Sequence, residues 1–267
     1  MSDSKTGAGL PVILLHALPL DSSMWDESAR ALRARGHRVL SIDQRGFGGT
    51  PLPADAAPSL DLVADGLALE LDRRGLDSAV VVGCSMGGYT AMSFLRRHPH
   101  RVRALALFAS RCTADTPEGT AARLRFADLI SDDSLRARIV MDTTSSLLGA
   151  TTRAQQPRLL AQVTALAQTA GPHSVAWAQR AIAAREASLA ALSTTDVPAV
   201  VVHGEEDELV TVDESRETAA ALSRGRLVTL PRVGHLAPLE APGKTVEILT
   251  GLLAVAQASC PGGAKAC

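Results

Sequence analysis

Val80-Val81-Val82-Gly83-Cys84-Ser85-Met86-Gly87-Gly88-Tyr89 is the stretch on which the chain is organised. It begins as a β-branched run, the pattern of a strand buried on both faces in a parallel sheet. It then reads Gly-x-Ser-x-Gly and continues over 89–98 with Ala91, Met92, Phe94 and Leu95 at helical spacing. Strand, tight turn and helix in that order give the five-residue pattern its meaning: the serine sits on a strained turn with its Oγ raised above the sheet. Gly83 and Gly87 are expected because a Cβ at either place would strike a neighbouring strand or helix. The following helix aims its N-terminus at the same point. A serine so placed requires a base, an acid to orient that base, and donors for an oxyanion.

Outward from this turn, apolar runs predict strands over 11–16, 38–43, 79–83, 102–109, 198–203 and 226–230. Asp21 or Ser22 is placed to cap a helix carrying Met24, Trp25 and Leu32. Ser59 starts another with Leu60, Val63, Leu67 and Leu71 on one face, stopped near Gly75. Strands alternating with helices imply parallel pairing and a doubly wound α/β sheet. The alternation breaks over 111–195, where only helical patterns occur, at 120–130, 135–148, 157–169 and 174–192. This predicts an all-helical insertion between core segments 1–110 and 196–260. Helices near 212–222 and 242–256 complete the core, and 261–267 reads as a disordered tail.

The acid is expected after the fifth strand and the base after the sixth. Asp207 lies in His203-Gly204-Glu205-Glu206-Asp207, and His235 in Val233-Gly234-His235-Leu236. The order Ser85, Asp207, His235 is the order this arrangement uses. In it, imidazole takes the Oγ proton and the carboxylate fixes its tautomer. Glu205 and Glu206 are the rival carboxylates. Met86 supplies one oxyanion donor from the helix N-terminus. Among the weaker candidates, His16 and His203 read as structural. His98 and His100 lie among arginines on a solvated face, and Cys84 is packing. His173 and Trp177 in the insertion are pocket candidates, with helix packing favoured for Trp177 as a lone large aromatic.

These residues carry a resemblance. His16-Ala17-Leu18-Pro19, Asp43-Gln44-Arg45-Gly46-Phe47-Gly48, Gly83-Cys84-Ser85-Met86-Gly87, Gly204-Glu205-Glu206-Asp207 and Gly234-His235 resemble the α/β-hydrolases, specifically the small esterase, enol-lactonase and cofactor-free haloperoxidase-like branch. The resemblance implies the backbone N–H groups of Leu18 and Met86 as oxyanion hole and the helical insertion as a cap over the serine. The family usually has glycine where this chain has Ala17. Its leading two-strand hairpin reads as missing or reduced before residue 11, so about six parallel strands are expected. The implied activity is a serine hydrolase acting on an ester, lactone or thioester-like small molecule through an acyl-Ser85 intermediate. Transfer of the acyl group to peroxide, an alcohol or an amine is an alternative, and a non-catalytic receptor is another. Ser85 argues against the epoxide hydrolases and dehalogenases of this fold, which carry aspartate there.

Composition narrows the field further. With 27 basic and 28 acidic residues the formal net charge is −1, which gives no reason to expect nucleic acid or an anionic membrane as partner. Residues 1–9 lack a signal-peptide pattern, and the apolar run 10–15 is far too short to span a bilayer. Cys84, Cys112, Cys260 and Cys267 form no C-x-x-C pair, which reads as free thiols in a reducing cytoplasm. No cluster has metal-ligand spacing, and 46–49 lacks the G-K-[ST] ending of a phosphate loop. No cofactor is expected.

Overall fold

The β-branched and leucine-rich runs over 12–15, 79–84, 102–108 and 199–204 become strands buried almost throughout on both faces, the condition of a parallel sheet covered by helices. The computed structural model describes residues 9–52 and 55–259. The tail expected at 261–267, with Cys260 and Cys267, lies outside the described residues. β1 (Val12–Leu15) leads through a 3-10 turn (Ser22–Trp25) into α1 (Asp26–Arg33). The Asp21 carboxylate caps that turn by accepting the Ser23 N–H at 2.9 Å. β2 (Val39–Ile42) follows, then α2 (Leu60–Arg73), capped by Ser59 as expected. Next come β3 (Ala79–Cys84), α3 (Met86–Arg97) and β4 (Val102–Phe108).

Six helices separate β4 from the next strand: α4 (Pro117–Leu129), α5 (Asp133–Ser146), α6 (Ala150–Gln155), α7 (Pro157–Thr169), α8 (Pro172–Ala183) and α9 (Leu189–Ser193). The core resumes with β5 (Ala199–Gly204), α10 (Val212–Ala220), β6 (Gly225–Leu230), α11 (Ala237–Glu240) and α12 (Pro242–Ala258). The sheet is six-stranded and all parallel, in the order β2-β1-β3-β4-β5-β6. The fold class and strand number are those expected. The chain steps from β1 outward to β2, then returns past β1 to β3 and continues the other way. The strand order therefore reverses between β1 and β3, and such sheets bind ligands beyond the strand ends at this switch point. α1 packs with α12 and α2 with α3; right-handed crossovers put these pairs on opposite faces of the sheet.

The insertion departs from expectation in two places. α5 ends at Ser146, and Gly149 stands at the N-cap of α6, a helix the sequence reading lacked. The single helix expected over 174–192 is broken into α8 and α9. Arg185 and Ser188 leave the helical path because both bond elsewhere. The Ser188 N–H donates to the Cys112 carbonyl at 2.7 Å, and Arg185 turns to Asp115 and lies over the Tyr89 ring at 4.2 Å from its centroid.

Asp115 is the fastener between sheet and insertion. Its carboxylate is fully buried and accepts from Arg111 (2.6 Å), Arg123 (2.6 Å) and Arg185 (2.9 Å). Arg111 follows β4 and also pairs with Glu214 of α10 at 2.9 Å, Arg123 is on α4, and Arg185 follows α8. Burial opposes the charge of Asp115, but the hydrogen bond from Arg185 and the guanidinium charges outweigh it and hold its carboxyl well below the usual range. A group depressed in this way stabilises the fold fully above its unfolded pKa of about 4, and that contribution fades as pH falls through the folded value. Asp115→Asn should therefore cost about 3 kcal/mol or more near neutrality, as breaking a buried ion pair does. Urea midpoints compared across pH should show the gap constant above about pH 5 and narrowing below about pH 4.

Candidate active site

Ser85 sits between β3 and α3 with φ 52 and ψ −114, a conformation non-glycine residues seldom adopt. The turn is closed by backbone contact. A Cβ on Gly83 would lie 2.1 Å from the Gly87 carbonyl oxygen, and one on Gly87 would lie 2.2 Å from that of Leu15. Both glycines are thus required by close approach, as the sequence implied. The Ser85 N–H donates to the Phe108 carbonyl at 2.9 Å, and Ser110 Oγ donates to the Ser85 carbonyl at 3.1 Å.

Asp207 follows β5 and His235 follows β6. The two Asp207 oxygens each lie 2.9 Å from His235 Nδ1, with the imidazole 2% exposed and the carboxylate fully buried. Asp207 Oδ1 also accepts the Leu209 and Val210 amides at 2.8 and 3.1 Å. Burial opposes ionisation of Asp207, but the His235 ring and the two amides outweigh it and keep its carboxyl below the usual range. The rival carboxylates face elsewhere. Glu206 accepts the Thr151 N–H and hydroxyl at 2.7 and 2.6 Å, and Glu205 is exposed.

Glu240 is a residue the sequence reading missed. Buried in the apolar segment after His235, it accepts three backbone amides. Oε2 takes Gly149 (2.8 Å) and Gly234 (3.0 Å), and Oε1 takes Leu236 (3.1 Å). Its carboxylate therefore holds the amides of the residues on either side of His235 and ties them to the start of α6. A charged side chain inside Leu236-Ala237-Pro238-Leu239-Glu240 was the signal: a buried acid must find donors.

The loop after β1 is braced by a second network. His16 is fully buried and held below its usual pKa by that burial. Its Nε2 accepts the Gln44 N–H at 3.0 Å, which leaves Nδ1 to donate to the Ala17 carbonyl at 3.0 Å. The Gln44 side-chain amide donates to the His16 carbonyl (2.8 Å) and accepts from Thr90 Oγ1 of α3 (2.7 Å). The loop is thereby tied to the helix that follows Ser85. Ala17, where glycine was the expectation, is fully buried, and its N–H meets Met24 Sδ at 3.2 Å. Among the described residues no protein acceptor meets the N–H of Leu18 or of Met86.

Ser85 and His235 face one cavity of about 250 Å³. Leu18 and Pro19 line it from the β1 loop, Tyr89 from α3, and Leu209 and Val210 from the Asp207 loop. The insertion contributes Arg123, Phe126, Thr143, Ser146, Leu147, Val175, Gln179 and Ile182. α8 thus presents Val175, Gln179 and Ile182 to the cavity. His173 on the same helix is exposed, and Trp177 is half-buried, its Nε1 donating to the Ala56 carbonyl at 3.5 Å. Neither lines the cavity, so the two pocket candidates stand on other faces of α8. Of the remaining candidates, His203 is buried against Ser215 Oγ at 3.2 Å. His98 meets Asp65 at 2.9 Å beside the Arg97–Asp65 pair, and His100 is exposed. Cys84 is buried beneath the His235 carbonyl (3.6 Å), and burial, with Asp207 and Glu240 nearby, pushes its thiol well up. Among the described residues no group of His, Cys, Asp and Glu has the arrangement of a metal site, and no helix is long and apolar enough to cross a membrane.

A parallel sheet, a strained serine turn at its switch point, and an Asp–His pair at the ends of the next strands define an α/β-hydrolase. The profile of the alpha/beta hydrolase fold family matches residues 11–242, and the chain belongs to that family. It is 27% identical to the 2-hydroxymuconate semialdehyde hydrolase of Pseudomonas sp. (strain CF600) over 95% of this chain and 90% of that one. It is also 27% identical to the non-heme haloperoxidase of Rhodococcus erythropolis over 86% of each chain. Among solved structures, a thermophilic esterase from Thermogutta terrifontis superposes with a TM-score of 0.88 at 29% identity, covering 94% of this chain and 92% of that one.

Two expectations follow from the geometry. Glu240→Gln replaces one acceptor oxygen by an NH₂ group and sets donor against donor. It should lower stability by about 2 kcal/mol in chemical denaturation, and unaltered stability would remove the bracing role. Trp177→Ala should cost about 3 kcal/mol as a packing residue and leave the ratio of rates on large and small esters unchanged; a shifted ratio would place it in the pocket after all.

Proposed function

We propose that this hydrolase cleaves a carboxylic ester or lactone through an acyl-enzyme on Ser85, with His235 as general base and acid and Asp207 as its orienting carboxylate. The observation that carries the reading is the buried Asp207–His235 pair facing the cavity that also exposes Ser85. Ser85 Oγ attacks the carbonyl carbon as His235 Nε2 takes its proton. The Asp207 carboxylate holds the Nδ1–H tautomer and stabilises the imidazolium. The oxyanion that forms is received by the N–H groups of Leu18 and Met86, the second aided by the positive end of α3. His235 then passes its proton to the leaving alkoxide. A water, deprotonated by the same nitrogen, releases the acid and restores Ser85.

The helices α4–α9 act in this reading as a cap. They furnish more than half of the cavity wall but none of the reacting groups, which supports substrate selection as their role. The wall mixes aliphatic side chains with Thr143, Ser146, Gln179 and Arg123, and Phe126 and Tyr89 are its aromatic members.

Ser85→Ala should abolish turnover of p-nitrophenyl esters and labelling by a fluorophosphonate while the thermal transition is kept; full activity in that variant would sink the assignment. Asp207→Asn should lower kcat on the order of 10⁴-fold, as a wrong tautomer does in other triads. Glu206→Gln, by contrast, should leave turnover nearly intact. The reverse pattern would show that the wrong carboxylate was chosen.

A further inference from the structure

Arg123 stands out in the wall of the cavity. It is the one side chain of fixed charge among the described lining residues, and no acidic side chain joins it there. Its guanidinium is held in place rather than loose. Nε donates to Asp115 Oδ2 at 2.6 Å and Nη1 to Gln179 Oε1 at 3.0 Å. Nη2 has no protein acceptor among the described residues, and the side chain keeps 26% of its exposure.

The Asp115 contact does not consume this charge. Asp115 Oδ1 is already engaged by Arg111 and Arg185, and the cluster sets three guanidiniums against the two carboxylates of Asp115 and Glu214. A positive surplus therefore remains at a wall whose other polar members, such as Thr143, Ser146 and Gln179, are uncharged, and partial burial there strengthens its pull on an anion. A planar fork with free donors suits a carboxylate. A purely hydrocarbon acyl chain in the same place would strip water from the guanidinium and return nothing, which selects against it.

We propose that the substrate carries a carboxylate in addition to its scissile ester or lactone, and that Arg123, steadied by Asp115 and Gln179, receives it. The proposal rests on the ester-hydrolase reading of Ser85 and names the substrate class for that site. Gln179 is the positioning residue: it orients the guanidinium from α8 while Arg123 reaches it from α4.

The test compares kcat/KM at neutral pH, followed by acid release, for matched charged and neutral esters. One arm places the charge on the acyl side, monomethyl adipate against methyl hexanoate. The other places it on the alcohol side, 4-acetoxybutyrate against butyl acetate. In one arm the charged ester should be preferred by about tenfold or more, the effect of one charge-assisted hydrogen-bond pair. Arg123→Gln should collapse that preference, and Arg123→Lys should restore part of it through charge without the fork. Ratios near one in both arms, or a ratio that Arg123→Gln leaves in place, would overturn the proposal. Should Arg123→Gln fail to fold, Gln179→Met, which keeps the charge and removes its orienting acceptor, should still weaken the preference.

Calorimetric titration of Ser85→Ala with adipate needs no turnover. Binding that is lost on adding Arg123→Gln supports the subsite, and no binding overturns it. Adipate binding by a wild-type protein that hydrolyses no ester would instead sink the ester-hydrolase reading while leaving the anion site standing.

Discussion

The structure depends on the approach of α3 to the ends of β1 and β3, where backbone meets backbone without intervening side chains. Gly87 lies so close to the Leu15 carbonyl, and Gly83 to that of Gly87, that a methyl group at either would have to displace main chain. This contact forces the left-handed conformation of Ser85. It also sets the first turn of α3 beside the loop that leaves β1. Two separate parts are thereby brought together: the Ser85 turn and the loop that leaves β1. The strain at Ser85, about 1–3 kcal/mol for such a conformation, is offset by the close packing that produces it. The His16–Gln44–Thr90 network then ties the β1 loop to α3, so that the loop follows the helix rather than the solvent.

Buried carboxylates do the joining elsewhere. Asp115, Asp207 and Glu240 each lie at a place where core and insertion, or two loops, must be held in register. Each is compensated in a different way: Asp115 by guanidiniums, Asp207 by an imidazole and two amides, Glu240 by three amides. A buried charge paired with its partners adds little net stability over an apolar contact of the same shape. Its effect is on geometry, because only one arrangement satisfies all the donors. Carboxylates at these junctions therefore define where His235 and the insertion helices stand, more than how firmly the domain is folded.

The sequence revealed what depends on periodicity and on local chemistry. The strands could be read from β-branched runs, the serine turn from two glycines, the Asp–His pair from its place after β5 and β6, and the insertion from the loss of alternation. It concealed what depends on direction around a helix axis. In α8, Trp177 and His173 drew attention as large or titratable residues, whereas Val175, Gln179 and Ile182 line the cavity. In α4 and α5 the apolar residues gather on no single face, and in α8 sequence alone does not say which part of the buried face meets the cavity. Arg123 lies within the helix expected over 120–130, where nothing in the sequence singles it out. Its partners, Asp115 and Gln179, come from other elements, and no spacing rule brings them together. The break between α8 and α9 was hidden for the same reason, since long-range bonds from Arg185 and Ser188 override a helix-compatible sequence.

The cavity is shared between two parts of the chain with different tasks, and the join between them bears on both. Ser85, His235 and Asp207 come from strand ends of the core, while most of the wall comes from α4, α5 and α8. Were these parts coupled only through apolar contact, the insertion could shift with the size of a ligand and leave the reacting groups undisturbed. Glu240 removes that independence. The same carboxylate oxygen that accepts Gly234, the residue before His235, also accepts Gly149, the cap of α6. A Cβ on Gly234 would lie 2.1 Å from the Gly149 nitrogen, so the two segments touch through backbone as well. Displacing the start of α6 must therefore either break a charge-assisted hydrogen bond or carry the His235 loop along. The start of α6, and with it this end of the insertion, is thus tied to the His235 loop through one carboxylate that lines no part of the cavity.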